Sequence, residues 1–249
     1  MPGVGERQLA IRIGRVPLRL RGHSGALLEK AAQRYTSFQS PNRGGLPVLL
    51  DGSAGAHPRF RYDLNGSSIE IAPRSAHFSG VKNEYELDSL LRVLLSVVLL
   101  SRRGFLLHAA TVVRGGKAYV FMGRSGAGKS TVASLSSVGS VLTDEISLLR
   151  CTGGTWHAYG TPFWGEFRAE GQNRCVPLGG ICELIQAPLN RKEQMPARQA
   201  LAALLGNTLF FAGSRQPREQ LLGILLGLIG AVPVSRLEFQ RNPSFWEVI

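Results

Sequence analysis

The chain predicts an α/β fold, and three observations carry that expectation. A strand, a glycine-rich loop and a helix follow one another over residues 118–137, a strongly periodic helix precedes them, and short alternating strands fill the first third. Residues 1–80 are rich in Gly, Pro, Ser and Arg, and within them Leu9–Ile13, Val16–Arg21, Phe60–Leu64 and Ser68–Ile71 alternate apolar with polar residues. Such alternation puts one face of a strand inside and the other in water, and Asp51-Gly52 and Asn65-Gly66 supply turns between strands. This stretch reads as a β-rich N-terminal region or as an extension of the main sheet. The boundary is placed at 83/84, leaving 84–249 as the second domain.

From Glu84 to Arg103 the pattern changes: Leu87, Leu90, Leu91, Leu94, Leu95, Val98 and Leu99 recur at helical spacing, with Asp88 near the start and Gly104 past the end. Phe105–Val113 then reads as a strand, Gly115-Gly116 as a hairpin turn, and Ala118–Met122 as the strand that enters the loop. Val138–Leu149 reads as a further buried strand ending near two acids, followed by a turn at Gly153-Gly154. Two helical stretches, Ala197–Phe211 and Arg218–Leu228, lead to a closing strand at Val234–Phe239. The apolar runs Val93–Leu100 and Leu221–Val234 are too short to span a bilayer and read as buried helices.

Composition describes a globular chain, with 44% hydrophobic and 18% charged residues. The formal charge is +12, and 24 of the 29 basic residues are arginine. A basic face suits an acidic partner such as ATP, an acidic peptide, nucleic acid or an anionic membrane, and an arginine-rich soluble surface is the plainer alternative. No zinc-finger spacing or aromatic RNA-binding motif accompanies the charge, so nucleic acid is not an expected partner. Cys151, Cys175 and Cys182 are odd in number and lack metal-type spacing, which suggests reduced thiols; with no apolar leader at the N-terminus, the expected location is the cytoplasm. A homo-oligomer is compatible with all of this.

The densest signal is Gly123 to Ser130, which spells G-x-x-x-x-G-K-S. Gly123, Gly126 and Gly128 admit left-handed backbone and a close approach to an anion, while Arg124, Ser125 and Ala127 contribute their N–H groups. The following helix presents its positive end to the same place. Lys129 has the reach for the β- and γ-phosphates, and the Ser130 hydroxyl, followed by Thr131, suits Mg²⁺. These residues make ATP and Mg²⁺ the expected cofactors. After the loop's helix comes Val141-Leu-Thr-Asp-Glu145, whose strand is expected beside the loop strand, so that its acids face Ser130. Asp144 then suits the metal, and Glu145 suits a general base toward a hydroxyl or a water. His108 lies fifteen residues before Gly123, in the preceding strand.

Leu107-His-Ala-Ala-Thr-Val-Val, the loop itself and Leu-Thr-Asp-Glu together resemble the catalytic domain of the HPr kinase/phosphorylase family. The resemblance covers about residues 105–149. It implies a phosphoenolpyruvate-carboxykinase-like fold, a P-loop domain with a mixed sheet flanked by helices. It also implies that His108 orients or tunes the catalytic carboxylate and that Glu145 takes the proton of a serine hydroxyl. Roughly where that family carries its signature segment, this chain has Tyr159-Gly-Thr-Pro-Phe-Trp-Gly-Glu-Phe-Arg168, which makes Glu166 a candidate second metal ligand. Phe163 and Trp164 line an acceptor pocket or pack in the core, and both readings stand at this point. Arg168, Arg174 and Arg191 are candidates for holding transferred-phosphate charge.

The function that follows is an ATP- and Mg²⁺-dependent serine kinase acting on a hydroxyl of a peptide or protein. The alternative is a nucleotide-binding regulatory module, or a P-loop ATPase that transfers phosphate to no acceptor.

Overall fold

The computed structural model describes residues 6–42, 44–51, 58–136, 140–163, 165 and 171–249. The chain forms two compact units, Met1–Val97 and Val98–Ile249.

The first unit contains strands β1 (Arg7–Ile13) and β2 (Val16–Gly22), helix α1 (Gly25–Arg34), strands β3 (Leu46–Leu50), β4 (Phe60–Leu64), β5 (Ser67–Ile71) and β6 (Ala76–Ser79), and helix α2 (Glu84–Val98). The six strands form their own sheet in the order β1-β2-β3-β6-β5-β4, with parallel and antiparallel pairs mixed. The predicted strands are therefore present, in a sheet of their own. Asn65 and Gly66 take φ of 47° and 91°, the left-handed pair that turns a tight hairpin.

Helix α2 starts where Asn83 Oδ1 accepts the N–H groups of Tyr85 and Glu86 at 3.1 and 2.9 Å. That cap leaves Asp88 free for another task. The Asp88 carboxylate is buried and accepts from Arg34 Nε at 2.7 Å and Tyr35 Oη at 2.5 Å. Burial pushes its pKa up, against the lowering pull of those two hydrogen bonds. This closed contact joins the end of α1 to α2, and residues 84–97 fall in the first unit, whereas the sequence reading began the second domain at 84.

The second unit contains β7 (Gly104–Arg114), β8 (Lys117–Met122), α3 (Lys129–Ser134), β9 (Val141–Thr143), β10 (Ile146–Thr152) and β11 (Thr155–Tyr159). It continues with β12 (Cys175–Gln186), β13 (Arg191–Gln194), α4 (Ala197–Asn207), β14 (Thr208–Leu209), α5 (Arg215–Ile229) and β15 (Val234–Phe239). Its mixed sheet runs β11-β10-β7-β8-β12-β15-β13, with β9 and β14 also on β7.

One sheet face packs on α4 and α5 through Leu107, Ala109, Val120, Met122, Ile181, Leu204 and Leu225. The opposite face packs on α3 through Val112, Phe121, Val132, Cys182, Leu237 and Phe239. Each of the buried leucines contributes about 1.5–3 kcal/mol of transfer free energy. Gly115 and Gly116, at φ 56° and 74°, make the β7–β8 hairpin tight. All three cysteines are free, with Cys175 half-buried. Among the described residues, no helix is long and apolar enough to cross a membrane.

Two expectations change. The sequence reading had one strand over 138–149 lying beside the loop strand. Instead two short strands, β9 and β10, both pair with β7, and the second neighbour of β8 is β12. Strand β12 escaped a reading by local pattern because Pro177, Gly179 and Gly180 interrupt it; the register shifts there between Leu178 and Gly180.

Candidate functional site

Register brings the predicted residues together on the inner strands β7 and β8 of the second sheet and on the segment that joins β9 to β10. Ala109 lies opposite Met122, so the chain leaves β8 at Gly123 beside His108. On the other side of β7, Ile146 lies opposite His108, and the Ala109 N–H donates to the Glu145 carbonyl at 2.9 Å. The loop's first residue, the imidazole and the acid pair thus meet along neighbouring rows of the sheet.

The break between β9 and β10 has a chemical consequence. In an unbroken strand, adjacent side chains point to opposite faces. Here Asp144 and Glu145 sit in the interruption, and both line one cavity. Thr143 and Thr161 hold the break in place, each donating its hydroxyl to the Ile146 carbonyl at 3.1 and 2.7 Å.

The Gly123–Ser130 loop needs its glycines for space as well as for conformation. Gly123 and Gly128 take φ of 154° and 111°, and a Cβ on Gly128 would lie 2.5 Å from Phe239 Cζ. Ala127 packs among the apolar residues on the α3 face. Lys129 is buried and folds back along the loop, its Nζ donating to the carbonyls of Gly123 and Arg124 at 2.8 and 3.3 Å. Burial lowers the Lys129 pKa, and the Glu145 carboxylate pulls it the other way. The loop is also held from the neighbouring strand: Gln186 Nε2, at the end of β12, donates to the Gly126 carbonyl at 2.6 Å.

The cavity measures about 510 Å³. Ser125, Gly126, Gly128, Lys129, Ser130 and Thr131 form its loop wall. His108, Asp144, Glu145 and Gly165 form the wall opposite, and the Gly165 N–H donates to Asp144 Oδ1 at 3.1 Å. Asp144 is 5% exposed, while His108 is exposed. Gly123 and Arg124 line a second cleft that shares His108 and Ser125 with the first.

Glu166, Trp164 and Arg168 lie outside the described residues. Phe163 is fully buried, which is the core reading of that residue. Arg174 donates to Gln172 at 2.9 Å, and Arg191 sits 3.7 Å from Glu193 on an exposed strand; neither lines the cavity. Among the described residues, the arginine that does is Arg241, which sequence reasoning passed over. Arg241 Nη2 donates to Gln186 Oε1 at 2.9 Å, so the residue that grips Gly126 also positions a guanidinium at the cavity wall. Its signal in the sequence was slight: one arginine among 24, two residues past the closing strand.

The family described as SynChlorMet cassette protein ScmC matches residues 81–249, more than half of the chain, and the chain belongs to that family. Among solved structures, the Hpr(Ser) kinase/phosphatase from Coxiella burnetii is similar at 14% identity. That match covers 49% of this chain and 87% of the other, with a TM-score of 0.27. No curated protein matches the chain.

Proposed function

We propose that this member of the ScmC family is an ATP- and Mg²⁺-dependent kinase that transfers the γ-phosphoryl group to a hydroxyl, most simply a serine of a peptide or protein. The observation that supports this reading is the single cavity in which loop amides, a lysine, two carboxylates and an imidazole converge. Phosphoryl transfer asks chiefly for positioning and charge neutralisation, and this set of groups is suited to both.

In this reading the Gly123–Ser130 amides and Lys129 hold the phosphate tail, with the Arg241 guanidinium as a further cation for its charge. Ser130 and Asp144 offer the hard oxygen donors that Mg²⁺ takes, one hydroxyl and one carboxylate, with the remaining positions left to phosphate oxygens and water. When bound, Mg²⁺ supplies neutralisation of charge on the phosphates. Glu145 accepts the proton of the acceptor hydroxyl as its oxygen bonds to the γ-phosphorus. The bond between that phosphorus and the bridging oxygen breaks, and ADP leaves. His108 steadies the Glu145 carboxylate in the orientation that receives the proton.

The test is incubation of the full chain with Mg²⁺, γ-labelled ATP and a pool of serine-containing peptides, with the label located by mass spectrometry and nucleotide uptake followed by calorimetry. Label on a peptide hydroxyl is the expected result. Label released only as inorganic phosphate would reassign the chain as an ATPase, and no uptake of Mg·ATP would end the reading altogether.

A further inference from the structure

The second cleft lies on the other side of the loop. Across the sheet, Met122 pairs with Glu183, Glu183 with Arg236, and both continue the row that begins at Ala109. In-register neighbours share a face. Ala109 and Met122 belong to the core under α4 and α5, so Glu183 and Arg236 rise on the α4 side of the sheet. There the apolar packing gives way to a cleft of about 780 Å³, with α4 residues Gln199 and Asn207 along one wall and His108 and Arg124 along the other. The first cavity, with Ser130 and Thr131, lies on the α3 side.

The chemistry of this cleft is that of an anion receptor with a second polar partner. Arg236 Nε is shielded from water and has no hydrogen-bond acceptor among the described residues. Its nearest acid, Glu183, lies 3.9 Å away, close enough to attract and too far for a hydrogen bond. The Arg236 side chain as a whole stays 41% exposed and lines the cleft, and a guanidinium meets a carboxylate best of all. Exposed Arg124 adds a second cation at the same rim. Gln199 and Asn207 are eight residues apart on α4, about 12 Å at a rise of 1.5 Å per residue. That length matches three or four residues of extended chain and exceeds a single small acid.

We propose that this cleft is the acceptor site and that it takes an extended, acidic peptide segment, with a carboxylate on Arg236 and Arg124 and the acceptor hydroxyl delivered along the shared His108 wall toward Glu145. The direction of transfer rests on the kinase reading, and the binding itself does not. His108 and Ser125 line both spaces, so a peptide in this cleft reaches the shared wall from the side opposite Ser130 and Thr131. Attacking and leaving oxygens must lie roughly in line, and two separate approaches meeting at one wall allow that.

The test measures fluorescence anisotropy of two labelled hexapeptides, one with a central serine flanked by aspartates and one with asparagines in their place. Wild type is expected to prefer the aspartate peptide by about tenfold or more, the ratio set by charge-assisted hydrogen bonds. Gly206→Trp is expected to abolish that binding: Gly206 lines the cleft, and an added Cβ there meets no atom within 4 Å, so the indole fills the cleft while α4 stays intact. Arg236→Gln is expected to erase the preference while circular dichroism stays unchanged. Equal binding of the two peptides to wild type, or unaltered binding to a folded Gly206→Trp chain, would overturn the proposal. Calorimetry with Mg·ATP on the same proteins separates the two readings, because absent nucleotide uptake sinks the kinase while leaving a peptide-binding result in place.

Discussion

Asp88 and Asp144 are buried to nearly the same degree, 3% and 5% exposed, yet they do different work. Asp88 sits in the first unit with one oxygen on Arg34 and the other on Tyr35, among the buried leucines of α2. Asp144 sits in the second unit at a break between two strands, accepts one backbone N–H from Gly165, and borders a cavity of about 510 Å³. Both carboxylates have lost most of their water. What separates them is the space beside Asp144, and the lesson is that burial of a charge marks a candidate site only when a cavity accompanies it.

The sharpest way to break that contrast is to change the groups at the cavity. Lys129→Ala and Glu145→Gln are each expected to lower phosphotransfer by about 10²–10⁴-fold, the range of a lost general base or a comparable charge, while Glu145→Gln retains Mg·ATP binding by calorimetry. Transfer that survives Glu145→Gln would remove the base from the proposal.

Next in size is the closed site. Asp88→Ala leaves Arg34 buried without its carboxylate and is expected to destabilise the first unit by about 3–5 kcal/mol, read from urea unfolding. Asp144→Ala is expected to shift the midpoint less, and equal shifts would erase the distinction. A pH series sharpens the same point. Because burial raises the Asp88 pKa, the folded chain holds that proton longer than the unfolded one. The stability this adds is fully present below the ordinary value of 3.8 and is lost as pH rises through the folded pKa. Asp88→Asn is expected to flatten that limb of the melting-temperature profile.

A smaller effect belongs to the strands beneath the cavity. Thr111 and Ser147 share a hydroxyl contact of 2.6 Å, and Ser147 also donates to the Ala109 carbonyl at 2.8 Å. Thr111→Val is expected to cost about 1 kcal/mol in thermal unfolding. Least perturbing of all is thiol labelling. Burial pushes the Cys182 thiol up to about 12, so it is expected to alkylate last, after half-buried Cys175, with mass spectrometry giving the order.

Much of this was legible in the chain because it is local. Apolar spacing marked α2, alternation marked β1, β2, β4 and β5, and Gly115-Gly116 marked the hairpin that feeds the glycine loop. What stayed hidden depends on partners distant in sequence. Arg34 and Asp88 are 54 residues apart, and Gln186 reaches Gly126 across 60. No periodicity announces either contact. Asp88 itself has the sequence position of an ordinary acid near a helix start, but the residue that caps α2 is Asn83. The acid pair was visible, but its route to the cavity was not, since that route is an interruption within the stretch 138–149 that reads as a single strand.

Strand β7 carries four pairings at once, with β8, β9, β10 and β14. A shift of one position along it would turn every side chain to the reverse face and separate the imidazole from the acids in a single move. Insertions at the exposed tip, Gly115-Gly116, leave that alignment alone, whereas the loss of any one residue between 105 and 111 disassembles everything the strand aligns. Tolerance to change in this chain is therefore set by distance from a seven-residue ruler, and a deletion scan would draw its edges.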